Sequence, residues 1–437
     1  MNDTQSHTVA YVRDTMLEQK PAPRSNVGAV RWVQENLFSG WFNSILTIVS
    51  IFVIYKLLAG SLPWMLGGVW QADSLSECRD ILNAKFGNTH YACWAVLTER
   101  WNQLLYGFYP NTEYWRANLA FVVMLVAIAP ILFDALPRKL LWVSAAFPFL
   151  MVWLVWGGTV WGPLGAAAGF AVGFVAMRIA ARFGDLIALF IGLAAAFVWF
   201  IFVGPAVVSM LDATLPVGHL LEVESRELGG FMICVIIGIA GIAMSLPIGV
   251  VLALGRQSDL LIVKAICVGF IEFIRGVPLI TLLFTASLIL NYFLPPNTSF
   301  DLTVRVIIMV TMFASAYMAE VIRGGLAALP KGQYEAADAL GLDYWKAQRL
   351  IIMPQALKIS IPGIVNTFIG LFKDTTLVMF IGIFDMLGLS NAIRANSAWN
   401  GVYWELFIFI GLVFWVSCFA MSQYSQWLER KLRTDHH

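Results

Sequence analysis

Long apolar runs alternate with short polar segments along most of the 437-residue chain. The hydrocarbon core of a bilayer is about 30 Å thick, so one spanning helix needs about 20 predominantly apolar residues. Runs of that length predict ten spans, at 42–60, 117–136, 140–158, 162–180, 186–207, 230–254, 268–291, 302–323, 358–384 and 403–424. The predicted fold class is therefore all-α, a polytopic membrane protein with about ten transmembrane helices.

Polar interruptions suggest how the chain is organised. The clearest one between two groups of spans is the segment 208–229, which we interpret as an external connector. The predicted units are a tail at 1–40, a transmembrane extension at 41–207 with an external loop at 61–116, a second membrane unit at 230–425, and a tail at 426–437. Only the second unit has many ionisable residues in or beside its spans. Such residues are costly in lipid and often mark a pathway, so function is expected there.

The composition limits the class of protein. Hydrophobic residues make up 59% of the chain and charged residues only 13%, which excludes an ordinary soluble globule. The formal net charge of +1 gives no general attraction to nucleic acid, and no nucleic-acid partner is expected.

The distribution of lysine and arginine predicts the orientation, because cytoplasmic loops collect these residues. If the chain starts inside, the cytoplasmic segments hold 19 of them and the external segments hold 7. Both termini are therefore expected in the cytoplasm.

Two of the five cysteines, Cys78 and Cys93, lie in the external loop. An oxidising compartment would permit a disulfide between them. The sequence leaves open whether the pair is bridged, since it does not show whether the two Cβ atoms meet.

The predicted cytoplasmic loop at 324–357 has a regular pattern. Pro330 precedes an alanine-rich run that favours a helix, and Gly341 supplies a stop. Asp343 is placed to cap a second helix before Pro354. The pattern predicts two short helices.

Six residues of this loop match a known motif: Glu335, Ala336, Ala337, Gly341, Ile351 and Pro354. Their spacing resembles the EAA loop of permease subunits in bacterial ABC importers, E-A-A-x3-G-x9-I-x-L-P, with Met353 in place of the leucine. The resemblance implies a type I ABC importer permease core at 230–425. It also implies that the loop docks on a cytoplasmic ATPase and transmits its closure to the spans. An ordinary amphipathic connector is the alternative.

Neighbouring segments at 271–279, 316–325 and 372–377 resemble the permeases of polar amino acids. The extra N-terminal spans and the segment around 27–30 resemble the larger permeases of general L-amino acid or glutamate/glutamine/aspartate/asparagine systems. The resemblance implies a bacterial inner-membrane subunit that works with an ATPase dimer, a second and different permease chain, and a periplasmic binding protein. ATP and magnesium would bind to the ATPase, so this chain would bind no cofactor and would not be an enzyme.

Two pairs of charged residues lie three apart at cytoplasmic span ends. Glu272 and Arg275 are neighbours on one helical face and are placed to pair. They form either part of an inner gate or brace, or a structural ion pair at the interface. Glu320 and Arg323 repeat the spacing, and snorkelling explains them without a functional role.

Lys373 and Asp374 lie about 22 Å into the ninth predicted span, at 1.5 Å per residue from its start. A helix broken there, with Thr375 satisfying freed backbone groups, would suit the ammonium or carboxylate of an amino acid. A buried network that holds a kink is the alternative.

Other classes find less support. No G-x4-G-K-[ST] phosphate loop occurs, so ATP hydrolysis requires a separate chain. A membrane enzyme is disfavoured because the five histidines show no metal-ligand spacing and no nucleophile elbow occurs. A transporter driven by an ion gradient is the main alternative, although it would need no EAA loop.

Overall fold

A computed structural model describes residues 28–133, 135–289 and 301–432. Part of the predicted first tail, 1–27, the end of the seventh predicted span, 290–291, and residues 433–437 lie outside these ranges. The described residues form nineteen α-helices and no strand. In chain order the helices are α1 (Ala29–Leu37), α2 (Trp41–Leu66), α3 (Leu75–Phe86), α4 (Ala95–Glu99), α5 (Trp101–Tyr106), α6 (Tyr114–Leu132), α7 (Leu141–Trp156), α8 (Trp161–Ala180), α9 (Asp185–Val198), α10 (Gly204–Thr214), α11 (Gly230–Arg256), α12 (Leu261–Gly276), α13 (Leu279–Phe284), α14 (Leu302–Ala327), α15 (Lys331–Ala339), α16 (Tyr344–Ala347), α17 (Met353–Asp374), α18 (Met386–Ala395) and α19 (Trp404–Leu432).

Nine helical stretches within the described ranges are long and apolar enough to cross a membrane. They are Trp41–Leu66, Asn111–Leu132, Arg138–Trp156, Trp161–Phe183, Ile187–Thr214, Gly230–Arg256, Leu302–Ala327, Tyr344–Ile381 and Trp404–Leu432. A bent pair, Leu261–Gly276 and Leu279–Ile289, supplies a tenth candidate. The predicted all-α membrane fold with about ten spans is confirmed.

The seventh predicted span is not one straight helix. Its two halves meet at 103°, and the bend lies at Val277 and Pro278. Proline has no backbone N–H and disfavours helical geometry in the residue before it. Val277 is accordingly extended, with φ −103° and ψ 130°. A continuous apolar run in the sequence does not reveal such a bend.

The chain forms two compact units, and the predicted boundary at 208–229 stays a prediction. The first unit comprises residues 1–69 and 82–92. In it, the Ala92 N–H donates to the Trp64 carbonyl at 3.0 Å, and the Val69 N–H donates to the Ala92 carbonyl at 3.0 Å. No residue of α2 is fully buried, so this apolar helix presents most of its surface to its surroundings.

The second unit comprises residues 70–81 and 93–437. Its centre is the packing of α11 against α14, where small residues let the two backbones approach, as is common in membranes. A Cβ atom added to Gly249 would lie 2.7 Å from the Met318 Cβ and 3.3 Å from the Ala319 nitrogen. Buried Ser245 and Ala253 lie on the same face of α11.

The predicted extension packs on the core within this second unit. Buried Ala120 of α6, Leu154 of α7 and Ile236 of α11 belong to one hydrophobic cluster. Gly107, which follows α5, has φ +72° and lies against the backbone just before α11. An added Cβ there would lie 2.4 Å from the Gly229 Cα, so only glycine fits this approach.

Candidate coupling loop and transport pathway

The first arm of the predicted coupling loop is α15. Pro330 directly precedes it, as its sequence predicts. After its last residue, the Gly341 N–H donates to the Asp338 carbonyl at 2.9 Å and the Leu342 N–H to the Ala337 carbonyl at 3.2 Å. Gly341 has φ +67°, so these two bonds form a Schellman motif. The stop expected at Gly341 is present.

The second arm differs from the prediction. The Asp343 carboxylate accepts a hydrogen bond from the Lys346 N–H at 2.9 Å, so this predicted cap is present. Its side-chain hydrogen bond with Lys346 lowers the pKa of the Asp343 carboxyl. The second helix does not end before Pro354, however, because the helical stretch continues to Ile381. A π-helical turn at Gln348–Ile352 interrupts the regular α-helical hydrogen-bond pattern just before Pro354, which has no backbone N–H to donate.

The six motif residues occupy both arms. Glu335 and Ala336 are exposed, whereas Ala337 is buried on the opposite side of α15. Gly341 and Pro354 are exposed, and Ile351 is half-buried. Large apolar side chains on the same loop are also exposed: Leu340 at 72%, Tyr344 at 53%, Trp345 at 70% and Leu350 at 64%. The loop therefore has a buried inner side and an apolar outer surface.

Close contacts fasten this loop to the spans. The Gln355 amide donates to the Gln333 amide oxygen at 2.9 Å, which joins α15 to α17. An added Cβ at Gly325 would lie 2.5 Å from the Ala356 carbonyl oxygen, so α14 and α17 meet backbone to backbone. The first arm of the loop is thereby joined to α17, and α17 in turn packs closely against α14.

A cluster of charges lies at neighbouring ends of α11, α12 and α14. Glu320 accepts from Arg256 at 2.6 Å and from Arg323 at 2.9 Å, and the Arg275 guanidinium lies 3.8 Å away. Arg256 also donates to Glu272 at 2.9 Å. The Glu320 side chain is only 14% exposed and lies at the centre of this cluster.

Glu272 and Arg275 therefore enter one cluster, although the described ion pairs do not join them to each other. Snorkelling explained Glu320 in the sequence analysis without a functional role, and Arg256 was not singled out there. Arg256 is 64 residues from Glu320 along the chain. The available signal was opposite charges at the ends of three consecutive spans on the predicted cytoplasmic side.

Lys373, Asp374 and Thr375 lie where α17 becomes a 3-10 helix, Thr375–Ile381. Lys373 is exposed in a groove of about 640 Å³ between α17 and α19, lined also by Asn366, Thr376, Trp415 and Ser422. Asp374 is half-buried, and no ion pair between it and Lys373 occurs among the described residues. The helix tightens here where the sequence suggested a break.

The threonines after this pair bond to the backbone. Thr375 is buried, and its hydroxyl donates to the Phe372 carbonyl at 2.7 Å. The Thr376 hydroxyl donates to the Lys373 carbonyl at 2.9 Å. Both hydroxyls thus satisfy carbonyl groups at the transition, which fits the expected use of threonine at this point.

The structure joins Cys78 to Cys93 as a disulfide, with a Cα–Cα distance of 6.2 Å. Both half-cystines are buried. The Cys93 N–H donates to the carboxylate of Glu405 in α19 at 2.8 Å, so the segment that holds the disulfide contacts the first turn of the last candidate span.

No cluster of three or more metal-ligating side chains occurs within the described ranges. Three features of the second unit are candidates for function. They are the exposed loop that was predicted to dock on an ATPase, the cluster of charges around Glu320, and the groove beside Lys373. They suit mechanical coupling and the handling of a charged solute.

The amino-acid sequence is similar to those of known transport proteins. The family described as the binding-protein-dependent transport system inner membrane component matches residues 245–434. The glutamate/glutamine/aspartate/asparagine transport system permease protein BztC of Rhodobacter capsulatus is 56% identical over 439 residues, covering 100% of both chains. The inner membrane amino-acid ABC transporter permease protein YhdY of Escherichia coli is 40% identical, covering 95% of this chain and 96% of that one. A crystal structure of an amino acid ABC transporter with histidines matches 53% of this chain and 98% of its own, with 26% identity and a TM-score of 0.42.

Proposed function

The chain belongs to the permease subunits of amino acid ABC importers, and from this premise we propose that it carries glutamate, glutamine, aspartate and asparagine. The similarity to BztC extends over the whole of both chains, extension included, and supports this substrate range. Uptake of radiolabelled glutamate, with each of the other three as competitor, tests it. Competition by arginine or histidine and none by aspartate would contradict the assignment.

The chain contributes a membrane pathway, and ATP is hydrolysed by a separate partner. The observation that carries this proposal is the outer surface of the coupling loop. Exposed Glu335 is accompanied by exposed Leu340, Tyr344 and Trp345 on a loop that is tied to α14 and α17. Contiguous exposed apolar residues often mark a contact with another protein, and tryptophan and tyrosine are enriched where such contacts are strongest. We assign this surface to the ATPase, with ATP and magnesium bound there.

Glu335→Lys tests the docking. Wild type and variant are purified from membranes, and we measure whether an ATPase subunit is retained and whether its hydrolysis responds to a substrate-loaded binding protein. We expect the variant to lose the ATPase or the response. Glu429→Lys, at the end of α19, makes the same charge change away from the loop and is expected to behave like wild type.

An ATPase that is retained and fully stimulated in Glu335→Lys would contradict the assigned surface. If wild type itself retains no ATPase and its uptake follows an ion gradient, the chain is a secondary transporter and the proposal of ATP coupling is wrong.

Glu272 and Arg275 act with Glu320 as a brace at the inner end of the pathway. The cluster joins three spans, and α14 leads directly from it into the coupling loop. The guanidinium of Arg275 also lies 5.6 Å from the Tyr317 ring centre. Arg275→Ala is expected to lower uptake per ATP hydrolysed. Unchanged coupling in that variant would leave only a structural role.

Lys373, Asp374 and Thr375 border the substrate pathway. Lys373 faces a groove that also contains amide and hydroxyl groups, which suits a zwitterionic solute. Exchanging the two charges, as Lys373→Asp with Asp374→Lys, is expected to change substrate preference. A lower protein yield with unchanged preference would indicate a buried structural network.

The complete importer contains a second, related permease chain and a periplasmic binding protein, and both termini of this chain face the cytoplasm. One coupling loop per chain and the excess of positive residues in alternate segments support this arrangement. Differently tagged copies of this chain distinguish the assemblies. Co-purification of both tags would indicate two copies of the chain in place of two different permeases.

A further inference from the structure

An apolar cavity of about 310 Å³ lies between the extension and the core of the second unit. Its walls come from the end of α5 and from α6, α7 and α11. Thirteen of its fifteen lining residues are apolar, and only Tyr106 and Asn118 carry polar side-chain atoms. Met124 and Phe147 are buried in its walls, whereas Phe121 beside it is 44% exposed. The cavity is therefore partly enclosed and open toward the outer surface of α6.

Its position fits one leaflet of a bilayer. The lining residues lie in the N-terminal parts of α6 and α11 and in the C-terminal half of α7, and they reach the middle of these candidate spans at Met124 and Phe147. From Phe231 to Ile239 on α11, the lining extends over eight residues, or about 12 Å. Half of a hydrocarbon core is about 15 Å thick. The cavity thus covers most of the depth of one leaflet.

The two polar side chains mark one end of the cavity. The Tyr106 hydroxyl donates to the Asn118 side-chain oxygen at 2.7 Å, and the Tyr106 and Tyr114 rings stack at 4.3 Å. Tyrosines are enriched where membrane meets water. The polar end therefore lies at the headgroup level, and the apolar remainder lies among the acyl chains.

The width of the cavity selects its occupant. The cavity holds about 310 Å³ over a length of about 12 Å, so it is long and narrow. A helix about 10 Å in diameter does not fit, because α6, α7 and α11 pack against one another at Met124, Phe147 and Val235. Water is also disfavoured, because apolar cavities stay dry and take apolar ligands, as one of about 150 Å³ takes benzene.

We propose that this cavity binds one acyl chain of a membrane phospholipid, which fills the joint between the N-terminal extension and the permease core. The lipid contributes apolar contact to both walls, and its headgroup lies beside Tyr106 and Asn118. The inference is independent of the transported substrate.

A photoreactive lipid tests the site. The transporter is purified with its partner subunits and reconstituted into phosphatidylethanolamine vesicles that contain a trace of phosphatidylethanolamine with a diazirine in one acyl chain. After illumination, adducts are mapped by peptide mass spectrometry. We expect adducts on cavity residues such as Met151 and Met232 to exceed those on exposed Phe170 by about tenfold, which corresponds to about 1.4 kcal/mol of preference. Equal labelling of cavity and exposed residues would overturn the proposal, whatever the variants do.

Two variants fill the cavity from opposite walls, Ala120→Phe on α6 and Val235→Phe on α11. Each is expected to remove the enrichment while labelling of Phe170 continues. Ala171→Phe places the same side chain on the exposed face of α8 and is expected to leave the enrichment intact. Enrichment that persists in a filled, folded variant would overturn the site, and a variant that does not fold leaves the wild-type measurement and the other variant to decide.

Discussion

Helices α2 and α14 are both 26 residues long, and both are apolar enough to span a membrane. Their surroundings differ: none of the most apolar window of α2 is buried within the protein, whereas 56% of that of α14 is. The more exposed helix is also the more hydrophobic, with a mean hydropathy of 2.1 against 1.7. In a water-soluble protein the order would be the reverse, because apolar surface is removed from water.

The comparison teaches that hydrophobicity places a helix in the membrane without placing it in the core. Lipid tails are as apolar as leucine, so close packing and polar contacts decide which helices associate. The two helices differ in these respects. α14 contributes Gly325, Glu320 and Met318 to contacts with its neighbours, whereas Gly60 of α2 has nothing within 4 Å of an added Cβ.

Removing the central carboxylate of the core should have the largest effect. In Glu320→Ala, the guanidinium of Arg256 keeps only Glu272, and Arg275 and Arg323 lose the carboxylate that they face. Removing one partner from this partly buried cluster leaves neighbouring positive charges without their carboxylate, which is unfavourable. We expect uptake per ATP hydrolysed to fall at least about tenfold, which about 1.4 kcal/mol of lost coupling would produce. Parallel assays of uptake and hydrolysis in vesicles measure this ratio.

The control variant in the extension is Glu113→Gln, which likewise removes a carboxylate that pairs with an arginine, here Arg116 at 3.4 Å. Arg116 keeps hydrogen bonds to the Leu154 and Leu221 carbonyls, so coupling should stay intact. Partial recovery in Glu320→Asp would separate the role of the carboxylate from that of its volume. Equal losses in the core and extension variants would contradict the distinction between the two regions.

A single methyl group should distinguish the packed helix from the exposed one. In Gly325→Ala the new Cβ lies 2.5 Å from the Ala356 carbonyl, which forces α14 away from α17. Overpacking of this kind costs about 1–3 kcal/mol, so the unfolding midpoint in detergent should fall by several degrees. Gly324→Ala and Gly60→Ala have no atom within 4 Å of the new Cβ and serve as controls. A lower midpoint in all three variants would point to glycine flexibility and not to packing.

Two lysines within candidate spans offer a finer comparison. Lys56 of α2 lies 5.7 Å from the Phe52 ring centre, whereas Lys373 faces the groove between α17 and α19. We expect Lys373→Gln to raise the KM for glutamate uptake about threefold or more, the change that about 0.7 kcal/mol of lost binding produces. Lys56→Gln should leave the KM unchanged. The same KM in both variants would remove Lys373 from the pathway.

Much of the fold could be predicted from the sequence because a lipid-embedded helix must satisfy its own backbone and needs a fixed apolar length. Apolar length does not predict the bend at Pro278, because the residues on both sides of the proline are equally apolar. Capping at Asp343 and Gly341 could also be predicted, since both act on residues within one turn of themselves.

The charged site could be predicted only in part. Glu320 and Arg323 have the spacing of a snorkelling pair. Arg256, which pairs with both Glu320 and Glu272, comes close to them only when three spans pack together. Likewise, the sequence places Lys373 and Asp374 in a span, but the groove on one side of Lys373 depends on α19. Long-range contacts between helices set both features, and a single sequence does not specify them.

The smallest effect on transport is expected at Asp385, which caps α18 by accepting from the Gly388 and Leu387 N–H groups at 2.9 and 3.2 Å. Burial raises the pKa of this carboxyl from 3.8 to about 6. Between these pH values the folded protein holds a proton that the unfolded chain has lost. The contribution of this carboxyl to stability is therefore full below about pH 4 and decreases as the pH rises to about 6.

Asparagine is also a good cap, so Asp385→Asn should fold and transport normally while the unfolding midpoint loses this pH dependence. Unfolding midpoints measured from pH 4 to 7 test this prediction, with Asp80→Asn at an exposed position of the extension as the control. Parallel curves for Asp385→Asn and wild type would show that the buried carboxyl does not titrate in this range.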